Sequence, residues 1–410
     1  MTGFSVNRRE VLAGVGSLVA WTQVPRIAHA APGRDPRLLT IVLRGGLDGL
    51  STVEPVGDPD YARVRAGLTL AEAGIKGIPL DSLFALNPKM PTLGKLYARG
   101  EALIVHATAT PYRARSHFDA QDILESGNVR PKLTGSGWMN RALQAVTPGD
   151  AVEPQKAFAI GAQVPLIMKG KAPVLNWVPP GFSDASPDTK MRLLDIYRHV
   201  DPQLADVMQE GLDLDDMLGG EAAVTKTMRK ARGMTENARA RTFRVAGSVA
   251  GKALAGANGP RIGAFDLTGW DTHVAERPAN GRLAQLLEGL DGMIDALHQE
   301  MRPVWADTAV IIVTEFGRTV AMNGNKGTDH GTGTLAFVLG GAVRGGRVVS
   351  DWPGLSRKAL FEERDLMPTT DLRSVLKGVL RDHLDVSERA LAETIFPESR
   401  AVRALDGLMV

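Results

Sequence analysis

The chain has 410 residues, 44% of them hydrophobic, and carries 48 lysines and arginines against 46 aspartates and glutamates, a formal net charge of +2. So even a balance gives no general attraction to nucleic acid, whose binding rests largely on neutralising phosphates, and DNA and RNA are discounted as partners. Cysteine is absent, which rules out disulfides and thiolate metal sites and leaves His, Asp and Glu as the available ligands.

The chain begins with Asn7-Arg8-Arg9-Glu10-Val11-Leu12, an uncharged run from Ala13 to Trp21, and Ala28-His29-Ala30. Paired arginines, a short apolar stretch and an A-x-A site predict a secretory signal over residues 1–30, read by the twin-arginine translocation machinery and cut after Ala30. The apolar run is far shorter than the roughly 20 residues that span a bilayer, so no permanent membrane span is expected. Arg8, Arg9 and Arg26 against Glu10 account for the whole net charge, leaving the remainder neutral. Export in the folded state suits a protein that takes up a metal or cofactor before crossing. The protein is expected to be periplasmic or secreted.

Residues 31–410 contain no Pro/Ser-rich linker, low-complexity tract or repeat, which predicts one domain with insertions. Short β-rich runs fall at 38–43, between Pro36 and Gly45-Gly46, and again at 102–106, 157–160, 261–267, 308–314 and 335–339. Helical patterns fall at 221–257, 282–301 and 372–379. Such alternation predicts an α/β fold with a mostly parallel sheet covered on both faces. From Lys190 to about Ala257 the pattern is helical without a strand, too much for one crossover, so a helical insertion is placed at about 181–257.

Ligands in open α/β sheets bind beyond the carboxyl ends of the strands, and polar clusters follow the predicted strands here. Arg44 to Thr52 follows the first, Gly269 to His273 the one after Arg261, and Glu315 to Thr319 the one after Thr308; Thr328 to Gly333 comes just downstream. Asp271 with His273, and Asp329 beside His330, suit zinc, manganese or iron, and their carboxylates suit magnesium or calcium. Taken singly, each pair also reads as a turn cap or a surface hydrogen bond. In the run from Arg113 to Asp122, Ser116 reads as an N-cap with Asp119 in the first turn. Arg115 and His117 fall at the same helix start, where free N–H groups favour an anion. His106, inside a strand, reads as a buried structural histidine, and His199, His298 and His383 as surface or packing residues. Ser51 and Thr52 read either as nucleophiles activated by a metal or as turn caps. Arg318 reads either as an oxyanion ligand or as the partner of a loop carboxylate.

Six motifs in this order resemble the domain-of-unknown-function 1501 family of twin-arginine-exported proteins. They are Leu-Arg-Gly-Gly-Leu-Asp-Gly-Leu-Ser-Thr at 43–52, Ser-His-Phe-Asp-Ala-Gln at 116–121, Gly-Trp-Asp-Thr-His at 269–273, Thr-Glu-Phe-Gly-Arg-Thr at 314–319, Thr-Asp-His-Gly at 328–331, and Gly-Gly-Arg-Val-Val-Ser-Asp-Trp-Pro-Gly-Leu at 345–355. That family is similar in turn to the alkaline phosphatase and sulfatase superfamily, which implies a three-layer α/β/α sandwich with metal at the carboxyl ends of its strands. By that resemblance Asp48 is the first-strand ligand, Asp271 and His273 the mid-chain pair, His330 the late histidine, and Thr52 or Ser51 the nucleophile. Where the superfamily usually has Asp-His, this chain has Glu315-Phe316, so Glu315 and the pair Asp329-His330 become the further ligand candidates.

The implied activity is metal-dependent hydrolysis of phosphate or sulfate esters on a small molecule or polymer, with Zn, Mn, Mg or Ca bound and Arg115 or Arg318 offsetting negative charge. The alternative is a non-catalytic exported module that binds a cell-surface glycan or anionic polymer. A third possibility makes the Asp-His pairs purely structural staples between loops.

Overall fold

The computed structural model describes residues 34–146, 157–161, 163–177, 238–257 and 259–410, with Leu194, Tyr197, Ala205 and Gln209 between them. The expected leader and most of the expected helical insertion lie outside these residues.

All six β-rich runs form strands of one sheet. Its members are β1 (Arg37–Arg44), β2 (Ala102–Ala109), β3 (Ala157–Ile160), β4 (Leu175–Trp177), β5 (Ile262–Thr268), β6 (Thr308–Thr314), β7 (Thr334–Leu339), β8 (Arg347–Val349) and β9 (Thr370–Asp371). They lie in the order β8-β2-β7-β6-β1-β5-β3-β4, with β9 alongside β2. β1 is central, pairing in parallel with β5 from Leu38 opposite Ile262 and with β6 from Leu38 opposite Ala309. Both of its faces are buried, which is why it reads as a continuous apolar run rather than as an alternation. β7 runs antiparallel to both β2 and β6.

Helices cover both faces. Leu39, Ile41 and Leu43 pack in one core with α2 (Pro91–Ala98), α5 (Ala238–Ala255) and α6 (Arg282–Glu300), named after the single turn α1 (Gly49–Thr52) and with α3 (His117–Ser126) and α4 (Trp138–Ala145) between them in the chain. Leu38 and Val42 pack in a second core with α3, α4 and α7 (Leu372–Leu384). The result is a three-layer α/β/α sandwich. α6 shows the cause: Leu283, Leu286, Leu287, Leu290, Met293, Ile294 and Leu297 recur at helical spacing and are all buried, and each such side chain contributes about 1.5–3 kcal/mol on leaving water. α5, the described end of the expected insertion, lies in this layer beside α6 and leads into β5.

The direction of β7 matters for the site. β1, β2, β5 and β6 all point the same way, so the loops that follow them gather at one edge of the sheet. Because β7 is reversed, the loop that precedes it, carrying Thr328 to Gly333, arrives at that same edge.

Candidate metal centre

Gly45, directly after β1, has φ +126°, and a Cβ on it would lie 2.3 Å from the Asp271 backbone nitrogen. Only glycine permits this approach, and it seats the loop after β1 against the loop after β5. Asp271 Oδ1 accepts from Arg318 Nη1 at 2.6 Å and lies 3.0 Å from His273 Nε2 and 3.2 Å from His330 Nε2. Its Oδ2 is 3.6 Å from Nε2 of His117, the first residue of α3. His117, Asp271 and His330 each offer a ligand atom within 4.8 Å of the others, and His273 joins on the side of His330, with 3.0 Å between their Nε2 atoms.

The other nitrogen of each ring is already committed. His117 Nδ1 lies 2.9 Å from Glu315 Oε1, His273 Nδ1 3.2 Å from Asp329 Oδ1, and His330 Nδ1 3.0 Å from the Arg115 carbonyl oxygen. A carbonyl or an ionised carboxylate can only accept, so each Nδ1 carries a proton, and a ring in its neutral form presents an Nε2 lone pair to the cluster. Two such lone pairs 3.0 Å apart repel unless a cation or a proton lies between them. Nε2 of His117, though buried, has no hydrogen-bond partner. Three imidazoles and one carboxylate, each imidazole oriented from behind by an oxygen, are the donor set and outer shell of a zinc-type site. The contacts of 3.0, 3.0 and 3.2 Å among His273 Nε2, His330 Nε2 and Asp271 Oδ1 lie near the roughly 3.3 Å edge of a tetrahedron with bonds of about 2.0–2.1 Å, and His117 Nε2 faces the other carboxylate oxygen at 3.6 Å.

The surrounding charges sharpen the arrangement. Burial alone would raise the Glu315 carboxyl, but hydrogen bonds from His117, Gln121 and the Gly45 N–H, at 2.9, 3.1 and 2.8 Å, hold it below its usual range. The hydrogen bond to Glu315 lifts His117 above the ordinary imidazole value, whereas burial, aided by His117 and Arg318, lowers His330. Asp271 is likewise lowered, its burial outweighed by the hydrogen bond and charge of Arg318. Phe316 is a wall, its ring centroid 4.9 Å from those of both His117 and His330.

Several sequence expectations are corrected by these placements. Asp48 does not join the cluster: its carboxylate accepts from the Arg65 guanidinium and, at 3.1 Å, from the Ser51 N–H. Arg65, wholly buried, also donates to the hydroxyl of Ser51 and to the carbonyls of Thr319 and Val320. Thr52 donates to the Asp48 carbonyl at 2.7 Å. Both hydroxyls are wholly buried, so the turn reading describes them and the nucleophile reading does not fit their surroundings. Glu315 and Asp329 stand behind histidines rather than in the cluster, and His117, expected beside an anion, stands among the ligand candidates. Arg115 turns its guanidinium to Asp365 and Glu362 and reaches the site only through its carbonyl. Arg318 is buried against Asp271, the loop-carboxylate reading. Ser116 occupies the N-cap position of α3 without a capping hydrogen bond. His106 is buried as expected, and Arg65, Glu276 and Thr328 carry no local signal in the sequence, because each matters only through a partner outside its own motif.

A family model described as protein of unknown function (DUF1501) matches residues 35–395. No curated protein sequence matches. Among solved structures, the chain is similar to the PsFucS1 sulfatase from Pseudoalteromonas sp., with 13% identity over 98% of this chain and 75% of that one and a TM-score of 0.39. It is also similar to the phosphonate monoester hydrolase of Agrobacterium radiobacter, with 9% identity over 86% and 74% and a TM-score of 0.39. A protein in the alkaline phosphatase superfamily from Vibrio parahaemolyticus gives 10% identity over 84% and 72% and a TM-score of 0.35. These likenesses are distant.

Proposed function

The chain belongs to the DUF1501 family, whose description names no activity, and we propose, from the site together with the resemblance of its motifs to the alkaline phosphatase and sulfatase superfamily, that it is an exported, divalent-metal-dependent hydrolase of phosphate or sulfate esters on small molecules or polymers. The observation that carries this reading is the set of three Nε2 atoms around Asp271, each ring held from behind through Nδ1. His117, Asp271, His273 and His330 are the residues that would hold the ion. Zinc or manganese suits their nitrogen-rich set better than magnesium or calcium, which prefer oxygen. A divalent ion bound there supplies Lewis acidity, polarising an oxygen of the ester and offsetting its charge.

The chain's own residues prepare the site. Glu315 and the Arg115 carbonyl keep the rings of His117 and His330 in one tautomer and one orientation. Arg318 holds Asp271 ionised and aimed. Phe316 excludes water from one flank. With Ser51 and Thr52 enclosed, the reading is hydrolysis by water, without a covalent intermediate on either hydroxyl. Export rests on Arg8-Arg9 and Ala28-His29-Ala30; among the described residues no helix is long and apolar enough to cross a membrane.

Chain purified from its exported fraction is expected to carry a divalent ion and to cleave members of an aryl phosphate and aryl sulfate panel. His273→Ala is expected to lose the ion and at least about a hundredfold in rate while remaining folded. A native chain without metal overturns the reading. One that holds metal but cleaves nothing in the panel favours the binding module for a glycan or anionic polymer.

A further inference from the structure

Asp271 lies on a loop with its side chain 39% exposed, so the sheet does not fix the direction of its carboxylate. Arg318 does, and Arg318 is itself held at every nitrogen. Nη1 donates to Asp271 at 2.6 Å and to the Gly45 carbonyl at 3.3 Å, Nη2 to the Thr328 carbonyl, and Nε to the Thr328 hydroxyl at 3.1 Å. The Thr328 hydroxyl donates in turn to Glu276 Oε2 at 2.6 Å, which turns its lone pair toward Arg318 Nε. Thr328 and Glu276 are wholly buried, and neither belongs to the cluster of ligand atoms.

We propose that Thr328 and Glu276 are positioning residues for the metal centre: Glu276 orients the Thr328 hydroxyl, the hydroxyl locks Arg318, and Arg318 aims Asp271. The proposal rests on the metal reading of the site. Its physical basis is the cost of a buried donor without an acceptor, about 1–3 kcal/mol and more for a charged group. If the hydroxyl is removed, the guanidinium relaxes toward another acceptor and Asp271 loses its aim. Outer partners of this kind typically set 10–100-fold in metal affinity.

The test is titration of the metal-free full chain with Zn²⁺ against a chromophoric chelator, alongside its thermal midpoint. Thr328→Val is expected to weaken zinc binding by roughly 10–100-fold, and Thr328→Ser, which restores the hydroxyl, to bind within about threefold of the native chain. Thr332→Val is the control. That hydroxyl, in the same loop and equally buried, donates to the Leu366 carbonyl at 3.2 Å and does not touch Arg318, so its loss should cost stability but leave zinc affinity unchanged. Thr328→Ala, which also lacks the hydroxyl, replaces the valine variant if that one does not fold. Native affinity in Thr328→Val overturns the proposal, as does equal weakening in Thr332→Val, because general softening of the loop would then account for it. A native chain that binds neither zinc nor manganese overturns the metal reading, and the proposal with it.

Discussion

A carboxylate's role is decided by what stands opposite it, and Asp48 and Asp271 illustrate the two outcomes. Asp271 faces three imidazole nitrogens and one guanidinium, whereas Asp48 faces the guanidinium of Arg65 in a space closed to water. Breaking a buried ion pair by removing one charge typically costs 3–5 kcal/mol, because the other charge is left unpaired. Asp48→Asn is therefore expected to lower the unfolding free energy by about 3–5 kcal/mol while the protein, where it folds, keeps its metal. Chemical denaturation and metal analysis of the same preparation separate the two roles. Loss of metal at unchanged stability would return Asp48 to the ligand sphere.

Among the elements, the loop after β1 is the one on which the geometry turns. It must pass close enough to the loop after β6 for the Gly45 N–H to reach Glu315 and its carbonyl to accept from Arg318, while its Cα lies against the Asp271 backbone of the loop after β5. Gly45 combines a left-handed backbone with a gap that a methyl group cannot enter. Gly45→Ala is expected to lose more than about 1 kcal/mol, the usual limit for such a change at a compatible site, and to weaken zinc binding as Asp271 is pushed aside. An alanine variant with native melting temperature and native affinity would show that the two loops are free to separate. The reversal of β7 is the second device at this scale, since a parallel strand there would carry Asp329 and His330 to the opposite edge.

For the whole molecule, the response to acid depends partly on histidines far from the candidate centre. His106 is wholly buried in β2 between Phe84 and Trp352, where Nε2 faces the Val53 carbonyl at 3.1 Å and Nδ1 accepts from the Ala107 N–H at 2.8 Å. Burial lowers it from 6.5 to about 4. A folded value below the unfolded one means that the neutral ring favours the native state. This contribution is complete above about pH 6.5 and is lost as the pH falls toward 4, by about 3 kcal/mol at roughly 1.4 kcal/mol per pKa unit. The native chain should therefore lose about 3 kcal/mol more than His106→Gln between pH 7 and pH 4, measured by denaturant unfolding of metal-free protein. Parallel pH profiles for the two would assign the acid sensitivity elsewhere.

Local chemistry alone determined the layers of this protein and the residue types of its centre. Runs such as 38–43 and 308–314 are too apolar to lie anywhere but inside a sheet, and the spacing in α6 admits only a helix with one buried face. Polar clusters after those strands located Asp271, His273 and His330, because strand ends are where backbone leaves the core. Tertiary structure alone decided who faces whom. The direction of β7 brings His330 to Asp271, α3 delivers His117 to the same point, and Arg65 closes over Asp48. Glu315, adjacent to Phe316 in a motif that suggested a ligand, turns instead to the back of His117. A side chain's protonation and function follow from partners within about 3 Å, the reach of a hydrogen bond, and the partners that orient His117, His330 and Asp271 include groups tens to hundreds of residues away along the chain, where no local pattern records them.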